Sequence, residues 1–238
     1  DICRKCCRKL CNGYFESLMW NPNKLKVAID ITTKCNAGCP QCHRTDINGC
    51  GTREDLPDIT WSLEDFKQAY PPEVIKNMVN AHICGTWGDP VTNNELPNMI
   101  SYIKESSSDC WITLSTNGSL RNKRWWTKLG KIGGHKLNVV FAVEGITQEM
   151  HELYRRFTFL DKILENMKAL SRTNARVHTQ TLIYKHNEDF LLDIERLCFI
   201  NGSKKHIYLT TDRWKGKDSL TYTVKGKEYV LEKSDYTV

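Results

Sequence analysis

The sequence predicts a protein of the parallel α/β class. Strand-like and helix-like stretches alternate from Leu25 onward until six strands have been laid down. Where a helix is expected, its apolar residues recur at helical spacing, most clearly Ile163, Leu164, Met167 and Leu170. Strands joined in this way by helical crossovers lie parallel, with right-handed connections. Six units are too few for a closed eight-fold barrel, so an open doubly wound sheet and a partial barrel both fit the pattern.

The elements follow in order. Residues 25–31 read as the first strand, with Leu25, Val27, Ile29 and Ile31 on one face. Residues 62–70 read as a helix capped by Ser62, with Asp65 three residues on to complete a capping box. Pro71-Pro72 ends that helix or opens a further helical stretch to residue 80. Residues 82–85 read as the second strand. A helix over 96–105 carries Met99, Ile100 and Ile103, and 111–115 reads as the third strand. A helix over 122–129 leads to the fourth strand at 138–143, and a helix over 159–171 to the fifth at 177–184. The helix over 188–199 stops near Asn201-Gly202, and the sixth strand covers 207–210. Residues 221–231 read as a hairpin turning at Lys225-Gly226-Lys227. Three divisions follow: a Cys-rich segment at 1–24, the α/β body at 25–212 and a C-terminal extension at 213–238. Function is expected where the strands end at their C-terminal edge.

Composition narrows the function classes. In 238 residues, 40% are hydrophobic, enough for a sizeable core, and 26% are charged. No apolar run approaches the roughly 20 residues that span a bilayer, so no membrane role is expected. The net charge of +6 is scattered, with small runs at 121–124 and 204–205, which makes nucleic acid an unlikely partner. No export signal is visible at Asp1-Ile2-Cys3, so a cytoplasmic location is expected. The start also lacks an initiating Met, so the true N-terminus is expected to lie outside this sequence.

Eleven cysteines is a high and odd number, and seven fall within the first 42 residues. Their close grouping disfavours disulfides and favours metal or cluster ligation in a reducing compartment. Cys35, Cys39 and Cys42 follow the first strand with C-x3-C-x2-C spacing. Thiolates are the usual ligands of iron–sulfur clusters, and three local sulfurs leave one iron open. Zinc is the rival; His43, adjacent to Cys42, is badly placed to complete its tetrahedron. Cys3, Cys6, Cys7 and Cys11 form a second group, a candidate zinc or auxiliary iron–sulfur site with Cys50 or Cys84. Cys110 and Cys198 sit in apolar elements and read as core residues.

The cysteine loop and its place after the first strand resemble the radical S-adenosylmethionine superfamily, most closely its peptide- and protein-modifying members. The resemblance runs from about Leu25 to Thr210. It implies a partial (β/α)6 TIM-like barrel and a [4Fe–4S] cluster on Cys35, Cys39 and Cys42. It implies that the open iron chelates S-adenosylmethionine, whose reductive cleavage yields methionine and a 5′-deoxyadenosyl radical that abstracts hydrogen. Gln41 stands where the family usually has an aromatic residue against the adenine. The stretch 84–90, containing Gly85, Trp87, Gly88 and Asp89, looks like the family's Gly-Gly-Glu-Pro motif with Trp87 and Asp89 substituted. The resemblance places ligand contacts at Ser115 and Asn117 after the third strand. Glu144-Gly145 after the fourth resembles an Asp-Gly ending, and His151 with Arg155 resembles a His-x-x-x-Arg pattern in which Arg155 pairs with the ligand carboxylate. Gln180 is a polar residue in an apolar strand, and Asp212 and Arg213 follow the sixth strand. Taken without the family, these residues read as turns, surface positions and a hydrogen-bonded core Gln.

The expected activity is therefore radical generation and hydrogen abstraction from a substrate, with a peptide favoured. A nucleoside or other small molecule, as in 7-deazapurine synthases, and a non-catalytic zinc protein are the competing readings. An electron donor such as flavodoxin or ferredoxin is the expected partner. Peptide-modifying relatives often carry a Cys-rich C-terminal extension, and this chain has no cysteine after Cys198.

Overall fold

The computed structural model describes residues 24–236. Six strands form one sheet: β1 (Leu25–Ile29), β2 (Met78–Ile83), β3 (Trp111–Thr116), β4 (Leu137–Ala142), β5 (Arg176–Leu182) and β6 (Lys205–Leu209). They lie side by side in chain order, and every neighbouring pair is parallel. Parallel neighbours need a crossover, and here the crossovers are helical. They are α1 (Leu63–Ala69), α2 (Pro72–Ile75), α3 (Leu96–Ser106), α4 (Lys123–Gly133), α5 (Gln148–Glu152), α6 (Leu160–Ser171) and α7 (Leu191–Ile200). β1 and β6 remain as the two edges, so the sheet does not close. Among the described residues no helix is long and apolar enough to cross a membrane.

Helix entry follows local chemistry. Ser62 Oγ accepts from Asp65 N at 3.1 Å, and the Asp65 carboxylate accepts from Ser62 N at 2.8 Å, the expected reciprocal cap. One expectation is corrected nearby. The helix opened at Pro72 ends at Ile75, and β2 begins at Met78, before the expected residue 82. Asn80, expected at the end of the helical stretch, hid the start of this strand, whose other polar residue is His82. Both side chains point away from the helices, Asn80 Nδ2 donating to Thr113 Oγ1 at 3.0 Å and His82 Nε2 meeting Ser115 Oγ at 2.8 Å.

The helices cover one face of the sheet. Ile83, Leu114, Val139 and Phe141 pack there against Met99, Trp126, Ile163 and Met167, all buried. Each such side chain stabilises the fold by roughly 1.5–3 kcal/mol. Cys110 and Cys198 lie in this core, as expected. The opposite face carries Asn80, His82, Thr113, Ser115, His178 and Gln180, all half-exposed.

A hairpin follows: β7 (Ser219–Val224) and β8 (Lys227–Glu232). Its two-residue turn, Lys225-Gly226, has φ of 49° and 77°, the left-handed pair that suits the twist of a hairpin. The hairpin stitches the loop after β1 to the region after β5. Thr223 N donates to Ile47 O at 2.9 Å, Gly49 N to Thr223 O at 2.9 Å and Lys185 N to Glu232 O at 3.1 Å. Beneath it, Cys39 and Cys50 are buried with Tyr154, Tyr184, Tyr222 and Leu231 in a second apolar cluster. The group Cys3, Cys6, Cys7 and Cys11 lies outside the described residues.

Candidate functional site

The loop after β1 is folded by its own backbone and by neighbours from three other strand ends. Cys42 N donates to Cys39 O at 2.9 Å and Thr45 N to Cys42 O at 3.0 Å, closing two successive turns. Gly38 N donates to Arg156 O at 3.0 Å. A Cβ at Gly38 would run into Cys50 O, so glycine lets the two limbs of the loop approach. Gly88 likewise lies against Thr32 O and Lys34 O, where a Cβ would meet Lys34 O at 2.7 Å. Arg44, buried in the loop, donates to Ala37 O at 3.2 Å, Thr33 O at 3.4 Å and Thr52 Oγ1 at 2.8 Å.

Cys35, Cys39 and Cys42 line one cavity together with Gly85, Gly88 and Asp89 after β2. Ser115 and Asn117 from the end of β3, Gln180 from β5, and Arg155 complete the same cavity. The structure thus brings together most residues that the sequence nominated from separate strand ends. Of the nominated residues, Gln41, Trp87, Glu144, His151, Asp212 and Arg213 stand outside the lining. Gln41 is buried, its Oε1 accepting from the Tyr184 hydroxyl at 3.1 Å. Trp87 is exposed, with its ring 6.4 Å from that of His43. Glu144 is fully buried and held by Arg155. Ala37, Arg44, Thr116 and Ala142 line the cavity without having been nominated. Arg44 carried the one usable signal, a charged residue two positions after Cys42.

Asp89 does not present a free carboxylate. It is buried and accepts from Val91 N at 3.0 Å, Asn117 N at 2.8 Å and Thr116 Oγ1 at 3.0 Å on both oxygens. Burial pushes its carboxyl up, against these hydrogen bonds. Its role is to bind the ends of β2 and β3 together, with Asn117 Nδ2 continuing to Asn36 Oδ1 at 2.9 Å in the cysteine loop. The side chain of Gln180 makes no hydrogen bond among the described residues, and it faces the cavity.

Two cations line the site, Arg44 and Arg155, and Arg155 is the one at the Cys39 sulfur. Its Nε and Nη2 donate to Glu144 at 2.8 and 2.7 Å, a bidentate pair, and its Nη1 lies 3.6 Å from Cys39 Sγ. Burial opposes its charge, but Glu144 and Cys39 hold its proton more firmly than usual. His151 supports the pair from behind. Its Nδ1 accepts from Glu144 N at 3.2 Å, so Nε2 carries the hydrogen that meets Thr158 Oγ1 at 2.9 Å. Burial and the Arg155 charge push His151 down to about 3, so the ring is neutral and forms no ion pair with Glu144.

The thiols suit a metal cluster. Burial, then Asp89 and Cys39, push Cys35 up to about 12. Burial also pushes Cys39 up to about 11, against Arg155. Such thiols stay protonated until a metal stabilises their anions. Among the described residues, no three His, Cys, Asp or Glu side chains converge as ligands of a single ion. The three thiols of a cubane bind three different irons, so the spread of Cys35, Cys39 and Cys42 around one cavity fits a cluster.

The sequence profile described as "Radical SAM superfamily" matches residues 29–198. The chain belongs to the Radical SAM superfamily. Members of this superfamily are enzymes. GTP 3′,8-cyclase of Clostridium perfringens is 24% identical over 174 residues, covering 73% of this chain and 51% of the relative. A 7,8-dihydro-6-hydroxymethylpterin dimethyltransferase of Methanocaldococcus jannaschii is 26% identical over 145 residues, covering 59% of this chain and 27% of the relative. The chain therefore spans about half the length, or less, of the curated relatives it matches. Among solved structures, Streptococcus suis SuiB bound to precursor peptide SuiA superposes with a TM-score of 0.66 at 13% identity, covering 90% of this chain and 45% of SuiB. The anSMEcpe structure with bound AdoMet gives 0.61 at 12% identity, covering 79% and 51%. These neighbours share the fold of this chain.

Proposed function

We propose that this chain is the radical-generating part of a radical SAM enzyme that acts on a peptide. One observation carries the reading: three thiols from one loop and polar groups from the ends of β2, β3 and β5 line a single cavity. Cys35, Cys39 and Cys42 would hold a [4Fe–4S] cluster, with the backbone at Gly85 and Gly88, and Ser115, Asn117 and Gln180, toward S-adenosylmethionine. When bound and reduced, that cluster supplies the electron that cleaves S-adenosylmethionine to methionine and a 5′-deoxyadenosyl radical. Flavodoxin or ferredoxin is the proposed donor.

The protein's own groups have assignable parts in this. Arg155 gives two N–H bonds to Glu144 and sits at the Cys39 sulfur, so it balances negative charge in the loop and keeps further N–H groups toward the cavity. Asp89 fixes strand ends, leaving the backbone at Gly85 and Gly88 to meet an ammonium group. The hairpin and the buried aromatic rings pack around Cys39 and Cys50 and support the loop from behind.

A peptide substrate is supported by the fold likeness to SuiB, whose structure holds the precursor peptide SuiA. A nucleotide is the second reading, supported by the sequence relatives named as GTP 3′,8-cyclases. The test is anaerobic reconstitution with iron and sulfide, reduction, and assay of 5′-deoxyadenosine from S-adenosylmethionine. Wild type is expected to form it and Cys39→Ala to be silent; equal rates in the two end the proposal. Stimulation by a peptide rather than by GTP separates the substrate readings.

A further inference from the structure

A second cavity, of about 330 Å3, lies on the other side of the cysteine loop, between it and the segment after β6. Cys42 lines both cavities, so only the loop separates them. Its walls carry Arg53, Arg213, Lys215 and Lys217 and no Asp or Glu among the described residues. Arg53 is engaged by Asp55. Arg213, Lys215 and Lys217 form no ion pair among the described residues, and Arg213 Nη1 only donates to Gln41 O at 3.4 Å.

The walls also hold three unsatisfied polar groups. Gln41 Nε2, Thr45 Oγ1 and Trp214 Nε1 have no hydrogen-bond partner among the described residues, and their residues are only 8%, 7% and 7% exposed. A buried donor left unmade costs about 1–3 kcal/mol; these three atoms are closed off from the cavity as it stands, so an occupant relieves that cost by drawing their side chains toward it. An indole N–H only donates, as does an amide nitrogen, and a hydroxyl can donate. Donors and unpaired cations without a facing carboxylate select a ligand that is anionic and accepts on several oxygens. The volume falls at the lower end of the roughly 300–1,000 Å3 usual for small-molecule sites.

We infer that this cavity is a phosphate-binding site, formed by Arg213, Lys215 and Lys217 with Gln41, Thr45 and Trp214. It goes beyond the radical-generating reading and stands without it, because none of its groups needs the cluster. The chemistry is that of a phosphoryl group, whether free or carried on a nucleotide.

Isothermal titration calorimetry tests it with potassium phosphate, potassium pyrophosphate and GTP, against potassium chloride at matched ionic strength. Wild type is expected to bind pyrophosphate, and the double variant Lys215→Gln/Lys217→Gln to bind it about tenfold more weakly. Trp214→Phe keeps the ring against Tyr184 but removes one donor, and is expected to bind about fivefold more weakly. GTP binding tighter than pyrophosphate identifies a nucleotide as the carrier, and equal binding identifies the free anion. Cys39→Ala is expected to bind pyrophosphate as wild type does, so loss of the cluster and loss of this site are told apart. Heats no larger than those of chloride, or unchanged affinity in both lysine and tryptophan variants, overturn the inference.

Discussion

Arg155 stands between Glu144 and Cys39, donating twice to the carboxylate and reaching within 3.6 Å of the sulfur. Glu144 is fully buried, so its carboxylate has no water to replace Arg155. Removing one member of such a pair costs about 3–5 kcal/mol. Glu144→Gln, which keeps the shape and deletes the charge, is expected to lose stability in that range in a urea titration. Arg155→Lys is expected to keep the charge but not the fork, and so to recover only part of the loss.

Iron content separates the cysteines. Cys35→Ala, Cys39→Ala and Cys42→Ala are each expected to come through anaerobic reconstitution without the brown colour and with little iron. Cys110→Ala, deep in the core, should bind iron as wild type does. Wild-type iron in any of the first three variants counts against the assignment.

Gly88→Ala tests the loop's packing. The added methyl meets backbone oxygens of Thr32 and Lys34, which cannot swing aside as a flexible side chain would. The variant is expected to lose the Asp89 N to Lys34 O bond, 2.7 Å long, and to retain less iron at equal protein concentration. Full iron retention would show that the loop tolerates the displacement.

His151 gives the fold a pH dependence. Its folded-state value is about 3 against 6.5 for an ordinary His, because burial and Arg155 disfavour the charged ring. The unfolded chain therefore binds the extra proton first. This stability is present above pH about 6.5 and falls as pH drops toward 3, by up to about 1.4 kcal/mol per pH unit. Urea midpoints at pH 5 and pH 7 should differ more for wild type than for His151→Gln.

Tyr222 locks the hairpin to the site. Its hydroxyl accepts from Arg156 Nε at 3.1 Å and Nη2 at 2.6 Å, and donates to Leu153 O at 2.6 Å. Arg156 is almost fully buried, so Tyr222→Phe leaves its guanidinium short of an acceptor. A loss of about 1–3 kcal/mol is expected by thermal or urea unfolding. An unchanged midpoint would mean that the backbone bonds and the packing of Arg156 on the two tyrosine rings hold the hairpin without the hydroxyl.

Much of this architecture is legible from residue order. The helical stripe of Met99, Ile100 and Ile103, the Ser62–Asp65 cap and the Lys225-Gly226 turn are local devices, and each appears where its residues place it. β2 starts before its expected first residue, His82, because polar Asn80 belongs to the strand. Asn80 and His82 are satisfied by Thr113 and Ser115 across the sheet, which local pattern does not reveal. At the site, the cysteine spacing and the strand-end positions of Gly85, Ser115 and Gln180 were readable. The division of labour was not. Asp89 and Glu144 both looked like ligand-facing carboxylates, and both are spent inside the protein.

The order of residues alone determined a parallel α/β chain with three thiols in the loop after its first strand, because strand alternation, helix periodicity and close cysteine spacing act over a few residues. Only the tertiary structure decided which polar groups meet those thiols, that Arg155 is claimed by Glu144, and that the hairpin backs the loop. Those outcomes depend on contacts between residues far apart in the chain, where burial makes each hydrogen bond and each charge pairing exclusive of the alternatives.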